Sequence, residues 1–438
     1  MIATSVDKPL VEFVSGLSLH DVPVATRARL GLLLADMAAV CTAGGPAPAT
    51  AIAADYAAAV HPGSEATLLV DGRRTGAIGA AFANGVLANV LDFDDGHRLT
   101  KGHPGAVVIP ATLAAAQRVN AAPVEFVEAV VVGYEVSVRA GIALHDREDA
   151  YHASGAWGGV GAAAAAARLF GLDGPATLAA MGLAEYHAPI AHIMRSCAQP
   201  QMTKDACAWG AAVGVSSALL GAQGFTSVRG EFLNADLDDL GRRWRLEELY
   251  IKAYPCCRWS QGAIAAAIQA AGGRPVTPEE VRRITVRTFA AADGLAKVVP
   301  ETTEEAQYSL LWPVACVLAH GRFGVDEVLG PFTDPDVRAV FDLVEVDVDP
   351  ALTAQFPDRR LTAVEIEFAN GERLEAGPLE AAGEPDDPEL PAVAAAKVQA
   401  LIGPDQFPMP ASADRLAGLG PRQLLGILCN APMEPGDA

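Results

Sequence analysis

Four stretches of this chain gather residue types that move protons or hold anions. The densest is LDFDDGHRLTKGHPGAVVIPATLAAA (91–116), which places Asp92, Asp94, Asp95, His97, Lys101 and His103 close together. Imidazoles that titrate near neutral pH, set beside carboxylates, suit general acid–base work. Asp94, Asp95, His97 and His103 are also suitable metal ligands, so a metal-dependent hydrolase is one reading, although no established spacing such as HExxH occurs. A polar surface loop is another. In DAYHASGAWGGVGAAAAAARLFG (149–171), His152 precedes a glycine-rich turn at a helix start, where backbone N–H groups suit a carboxylate. These glycines fit neither a P-loop, since no GK[ST] follows, nor a dinucleotide fingerprint, since no strand precedes them. In EYHAPIAHIMRSCAQPQMTKDACAWGAAVG (185–214), Lys204 and Asp205 stand at the mouth of a long uncharged segment. Desolvation there lowers a lysine pKa and readies it for proton transfer; a lysine that merely reaches past apolar surface is the competing explanation. YIKAYPCCRWSQGAIAAAIQ (250–269) sets Lys252, Tyr254, Cys256, Cys257, Arg258 and Gln261 ahead of an alanine-rich helix. Arg258 could clamp a carboxylate through two parallel hydrogen bonds. Cys256 and Cys257 are too close in sequence for an easy disulfide, and no histidine partner for a thiolate is evident.

The elements that must position these groups are mostly helices. Residues 26–45 and 125–144 carry apolar residues at helical spacing, with Thr26 as an expected N-cap and Gly44-Gly45 as a stop. Residues 76–93 form another small-residue helix that delivers its end into the acidic cluster. Pro104-Gly105 is expected to turn the chain before the next helix. The pattern changes near residue 275. VRRITVRTF (281–289) alternates as a strand should, and LTAVEIEFANGERLEAG (361–377) reads as two strands around an Asn370-Gly371 turn. Helices are expected near 303–320 and 334–342, and again after the acidic loop 380–390. The expected fold is mainly α. A large all-helical domain (1–271 with 391–438) is interrupted by a smaller α+β domain (272–390).

Composition narrows the function classes. The chain has 438 residues, about half of them apolar and 19% charged, enough for two domains and a large core. Abundant alanine and only 6% aromatics imply closely packed helices. A net charge of −21 should repel nucleic acid and anionic membrane, so neither is an expected partner. It would also repel an anionic substrate at long range, so a pocket for one must concentrate positive charge; the plainer reading is a solvated acidic surface. The seven cysteines are odd in number and form no CxxC pair, which points to a reducing, cytoplasmic compartment. The N-terminus lacks the pattern of a signal peptide. The charge-free run 206–225 is dominated by Ala, Gly, Ser and Val, so a buried helix is expected rather than a membrane span.

Taken in register, five stretches resemble the MmgE/PrpD family: DFDDGH…HPG (92–105), YHASGAWGGVGAAAAAARLFGLD (151–173), MTKDACAWGAAVGVSSALLGAQGFT (202–226), KAYPCCRWSQGAI (252–264) and EEAQYSLLWPVACVLAHGRFG (304–324). That family includes 2-methylcitrate dehydratase, cis-aconitate decarboxylase and iminodisuccinate epimerase. The resemblance implies a helical domain with an α+β lid, a site between them, a homodimer, and no metal or organic cofactor. Carried over, its pocket positions are Asp94, His103, His152, Lys204 and Lys252. From the residue types of the same segments, Arg258, His97, Lys101, Tyr254 and Gln261 are the expected substrate contacts. Two departures bear on decarboxylation: Cys257 stands where the decarboxylase branch carries a histidine, and Trp312 where a hydroxyl-bearing aromatic often lies. The chemistry expected is proton removal beside a carboxylate of a small anionic polycarboxylate, with loss of water. His103 and His152 are then acid and base in an order left open, Lys204 anchors a carboxylate, and Asp94 orients a histidine. Epimerisation of an imino-dicarboxylate and cis-aconitate-type decarboxylation are the near alternatives. A metal-dependent hydrolase and a non-catalytic binding protein are the distant ones.

Overall fold

The computed structural model describes residues 7–235, 237–403, 412–419 and, singly, 423, 426 and 428. Within these residues the protein is mainly helical, with one four-stranded and two two-stranded sheets. Cys429 and most of the chain after residue 403 lie outside the described residues.

The helical unit is built on Val24–Gly44, Ala77–Asn89, Pro104–Val119, Pro123–His145, Gly155–Leu169, Gly174–Tyr186 and Cys207–Ala222, with Leu390–Ile402 returning to pack on Val24–Gly44. Small residues set how close these helices come. A Cβ at Gly161 would lie 2.1 Å from Ser137 Oγ and 2.2 Å from the Gly133 carbonyl oxygen, and one at Gly214 would lie 2.4 Å from Ala162 Cβ. The glycines after residue 154 are therefore helical contact points and not the turn expected from sequence. The first helical N–H, that of Gly155, already donates to the Asp205 carbonyl at 3.0 Å, so no anion seat opens there. Two other local expectations fail. Thr26 lies inside its helix, which begins at Val24, and its hydroxyl donates to Glu247. Pro104 does not turn the chain but opens its helix, because a proline at the first helical position gives up no needed N–H. The uncharged run near 206–225 is the buried helix Cys207–Ala222, and no single helix among the described residues is long and apolar enough to cross a membrane.

The second unit centres on a sheet in the order Val344–Val348, Val281–Thr288, Thr362–Phe368, Arg373–Leu379. The first pair is parallel and the others antiparallel, and the Asn370-Gly371 turn closes the expected hairpin with Gly371 at φ 87°. Val344–Val348 was not read from the sequence. Helices Arg258–Ala270 and Leu311–His320 cover the sheet, and Ile264 and Ala267 join Ile284, Val286, Val364 and Ile366 in one apolar cluster. Gly262 allows this close seating, since a Cβ there would lie 3.0 Å from the Leu379 carbonyl oxygen. The helix expected over 303–320 is two, Thr303–Gln307 and Leu311–His320. The break between them carries Tyr308.

Candidate active site

A narrow cleft is lined by Asp92, Lys101 and His103 from one loop, Asp205 and Tyr151 from two others, and Lys252, Cys257, Arg258, Tyr308 and Arg360 opposite. Among the described residues five non-glycines have positive φ, and four of them belong to this region: Asp92 at 49°, Lys101 at 52°, Lys204 at 40° and Ala206 at 52°. Each such conformation costs on the order of 1–3 kcal/mol and persists only where the surroundings over-determine it.

The centre is a buried charge cluster. His103 caps the start of Pro104–Val119, with its backbone N–H on Ser154 Oγ at 2.8 Å. Its Nδ1 lies 2.9 Å from the Asp95 carbonyl oxygen and 3.2 Å from Asp94 Oδ2, and its Nε2 lies 3.2 Å from Asp92 Oδ1. A carbonyl only accepts, so Nδ1 carries hydrogen. Burial pulls the His103 pKa down, but the Asp94 carboxylate outweighs it and raises the value to about 10. Burial likewise acts to raise Asp94, yet His103, Lys252 and the Asn89 amide hold it at about 2. Lys252, 1% exposed, donates to Asp92 Oδ1 and to the Asp92 carbonyl, both at 2.8 Å. Burial opposes its charge, and Asp92, Tyr250, Asp94 and Cys257 together overcome burial, so its pKa is raised. Behind them, Asp95 takes the Tyr134 hydroxyl and the Gly105 N–H, and its burial pushes it up to about 7. Gly105 is required here, since a Cβ would lie 2.3 Å from Asp95 Oδ2.

The remaining sequence candidates divide. Lys101 faces the cleft with its ammonium 3.9 Å from the centre of the Tyr151 ring. Lys204 sits behind the wall, donating to Gln307 and 5.8 Å from the Tyr308 ring, and burial lowers its pKa. His152 is 5% exposed, and its ring lies in an imidazole cluster with His145 and His192, at centroid distances of 6.1 and 5.4 Å, beside the cleft-lining Tyr151 and not in the lining itself. Both its ring nitrogens lack a hydrogen-bond partner, and burial, then His192, lowers its pKa.

Four expected substrate contacts are occupied or turned away. Arg258 does clamp a carboxylate, but it is that of Glu384, at 2.9 and 3.2 Å, with further bonds to Gln261 and to the carbonyls of Ala381 and Ala382. Gln261 is spent on Arg258 and on the carbonyls of Tyr254 and Cys256. Tyr254 contributes that carbonyl, and its ring does not line the cleft. His97 pairs with Glu248 at 3.2 Å, away from the cleft.

The metal set of Asp94, Asp95, His97 and His103 is therefore not assembled. A different trio, Asp92, Asp94 and His103, is close enough to share an ion. Lys252 donates to Asp92, and the His103 ring lies within 3.2 Å of both carboxylates, so an ion at this trio would compete with those contacts.

Three residues were missed by sequence reasoning. Asp205 lines the cleft, burial raises its pKa, and it accepts from the Tyr308 hydroxyl at 2.8 Å. Tyr308 is one of three tyrosines lining the cleft, with Tyr151 and Tyr250, whereas Trp312 lies outside the lining and its indole donates to the Glu327 carbonyl at 2.9 Å. The break in helical periodicity at Tyr308 was the available signal. Arg360 enters from the loop before Thr362–Phe368, and nothing local in the sequence marks it.

Residues 8–236 match the MmgE/PrpD N-terminal domain and residues 254–408 the MmgE/PrpD C-terminal domain. A cis-aconitate decarboxylase-like protein of Aspergillus oryzae is 25% identical over 382 residues, 78% of each chain. A cis-aconitate decarboxylase of Aspergillus terreus is 21% identical, covering 76% of this chain and 75% of its own length. Another from Aspergillus terreus (strain NIH 2624) is 22% identical over 84% and 83%.

Proposed function

The chain belongs to the MmgE/PrpD family, and on that premise we propose that it is a cofactor-independent lyase of a small di- or tricarboxylate, working by proton transfer beside a carboxyl group. The observation that carries this reading is His103, held between Asp92 and Asp94 as an imidazolium and facing a cleft rich in cations. A histidine with its pKa raised to about 10 is an acid at neutral pH. Loss of water from a citrate-like 2-hydroxy acid then proceeds as follows. A base takes the proton beside the carboxylate, and the C–H electrons become the new double bond. The C–O bond breaks, and His103 gives its proton to the departing hydroxyl, which leaves as water. We assign His152 as the base because it is buried, its pKa is lowered and both ring nitrogens are free of protein partners; since its ring stands beside the lining, the assignment requires the 151–152 segment to bring that ring into the cleft when substrate binds. Negative charge that builds on the substrate carboxylate is offset by the cations of the cleft.

A second reading, decarboxylation, is favoured by the names of the relatives. There His103 alone suffices: the C–C bond electrons release CO2 and the carbon takes the His103 proton. Against cis-aconitate itself, Cys257 lines the cleft with its thiol pushed up to about 12 by burial and supplies no readily exchanged proton.

The test is proton NMR of the purified protein in deuterated water with citrate, 2-methylcitrate and cis-aconitate, repeated with His103→Gln and His152→Gln. Dehydration requires that both variants lose turnover. Loss in His103→Gln alone, with release of CO2, selects decarboxylation. Deuterium entering without loss of water or CO2 selects epimerisation. Unchanged turnover in His103→Gln overturns the lyase assignment.

A further inference from the structure

The cleft presents two kinds of cation. His103, Lys252 and Arg258 are each matched to a carboxylate of the protein: Asp94, Asp92 and Glu384. Lys101 and Arg360 are less closely matched: among the described residues neither has a carboxylate within 4.0 Å, and only Asp146 for Lys101 and the Glu384 shared with Arg258 and Arg98 for Arg360 act on them from farther off. Arg360 is 5% exposed, its Nε–H is buried without an acceptor, and its one guanidinium hydrogen bond runs from Nη2 to the Arg98 carbonyl at 3.2 Å. Its guanidinium lies 5.6 Å from the centre of the Tyr250 ring, which also carries Arg258 at 4.6 Å, so its position is fixed. The Lys101 ammonium rests on the Tyr151 ring, on a backbone held at φ 52°. The two charges sense each other: after burial, Arg360 is the next cause that lowers the Lys101 pKa. Like charges brought together in a partly desolvated cleft, with an N–H left unmet, are an unfavourable arrangement that a bound anion relieves.

We propose that Lys101 and Arg360 form a receptor for one carboxylate of the substrate, separate from the groups that transfer the proton. It rests on the lyase reading only in taking the occupant to be that enzyme's substrate. A carboxylate accepts two parallel hydrogen bonds from a guanidinium, and an ammonium can close its other side. The substrate must then carry at least one carboxylate beyond the carbon that reacts, which selects polycarboxylates over monocarboxylates. The receptor also joins the two structural units. Lys101 belongs to the helical unit's acidic loop and Arg360 to the loop entering the sheet, so an anion held by both ties one unit to the other. This explains how a protein of net charge −21 draws in an anion.

The test is calorimetric titration with tricarballylate, a tricarboxylate with no hydroxyl to eliminate, and with butyrate. It uses the wild type and the variants Arg360→Gln, Lys101→Met and, as a surface-charge control, Arg282→Gln on the outer sheet. The wild type should bind tricarballylate well and butyrate poorly, with affinity falling as salt rises. Each receptor variant should lose about 10- to 100-fold in tricarballylate affinity, and Arg282→Gln should match the wild type. Lys101 is only half-buried, so its variant reads out binding even if Arg360→Gln fails to fold. Wild-type failure to bind tricarballylate, equal binding of butyrate, or wild-type affinity in Lys101→Met overturns the receptor. The two proposals fail separately. Normal binding with no turnover on any polycarboxylate refutes the lyase and leaves the receptor. Turnover with unchanged KM in both receptor variants refutes the receptor and leaves the lyase.

Discussion

Asp94→Asn should turn His103 from an acid into a largely neutral imidazole. Holding its pKa at about 10 in place of 6.5 favours the imidazolium by roughly 5 kcal/mol. Asp94 is the largest of the raising influences, acting through both its charge and its hydrogen bond, while burial and Lys252 act against it. Without that carboxylate the His103 imidazolium loses its largest support, and its pKa falls toward the ordinary imidazole value of 6.5, which is taken as the limit. At pH 8 the protonated fraction then drops from nearly all to about 3%, and turnover that depends on the acid falls about thirtyfold or more. The assay is the pH dependence of kcat, with a labelled-imidazole NMR titration of His103 alongside. In the wild type the alkaline limb lies near 10; in the variant it moves down toward 6.5 or disappears into the acid range. Stability must follow with a definite sign. The raised pKa of His103 contributes stability that is complete below pH 6.5 and is lost as pH rises through about 10. The lowered pKa of Asp94 contributes stability complete above pH 3.8 and lost as pH falls through about 2. The pair therefore stabilises the fold most between pH 3.8 and 6.5, and the variant should lack that plateau. An alkaline limb that stays put in Asp94→Asn, or a wild-type His103 that titrates near 6.5, refutes the reasoning.

Other substitutions probe the frame around this pair. Lys252→Met strands the buried Asp92 carboxylate and should destabilise the protein by about 3–5 kcal/mol, read from the denaturant midpoint; an unchanged midpoint would mean that the pair is not charged and buried. Tyr308→Phe removes the hydroxyl on Asp205 and should cost about 1–3 kcal/mol, with the loss greatest above the raised pKa of Asp205, where its carboxylate is ionised; a variant as stable as wild type across pH contradicts the bond. Gly161→Ala places a Cβ 2.1 Å from Ser137 Oγ and 2.2 Å from the Gly133 carbonyl. The backbone cannot yield that much, so a loss of about 1–3 kcal/mol is expected by thermal unfolding, whereas Gly72→Ala, with nothing within 4 Å of its Cβ, should show only the penalty of its positive φ.

What the sequence revealed of this site follows the range over which each group is positioned. His103, Asp92 and Asp94 meet inside a single loop, so their spacing alone marked a candidate cluster, for which proton transfer, metal binding and a polar loop stood as alternatives. The helical period and the Asn370-Gly371 turn are equally local, and those elements were legible. Arginine is the instructive failure. Arg258 looked available because its sequence neighbours are neutral, yet Glu384, 126 residues away, neutralises it. Arg360 looked unremarkable, yet the cleft leaves it without an acceptor for its Nε–H. A cation's availability is set by what the fold brings against it, which no window of sequence contains. The same holds for Tyr308, aimed at Asp205 by a break between two helices, and for Lys397, whose ammonium returns from the last long helix to the buried Asp36 at 2.7 Å, behind Asp94. Lys397 and Asp36 extend the alternation of charge behind Asp94, while the protonation of His103 itself is set by Asp94, Lys252 and Asp205 against burial. A cluster of that depth explains how one imidazolium is kept charged in a site where burial alone would have neutralised it.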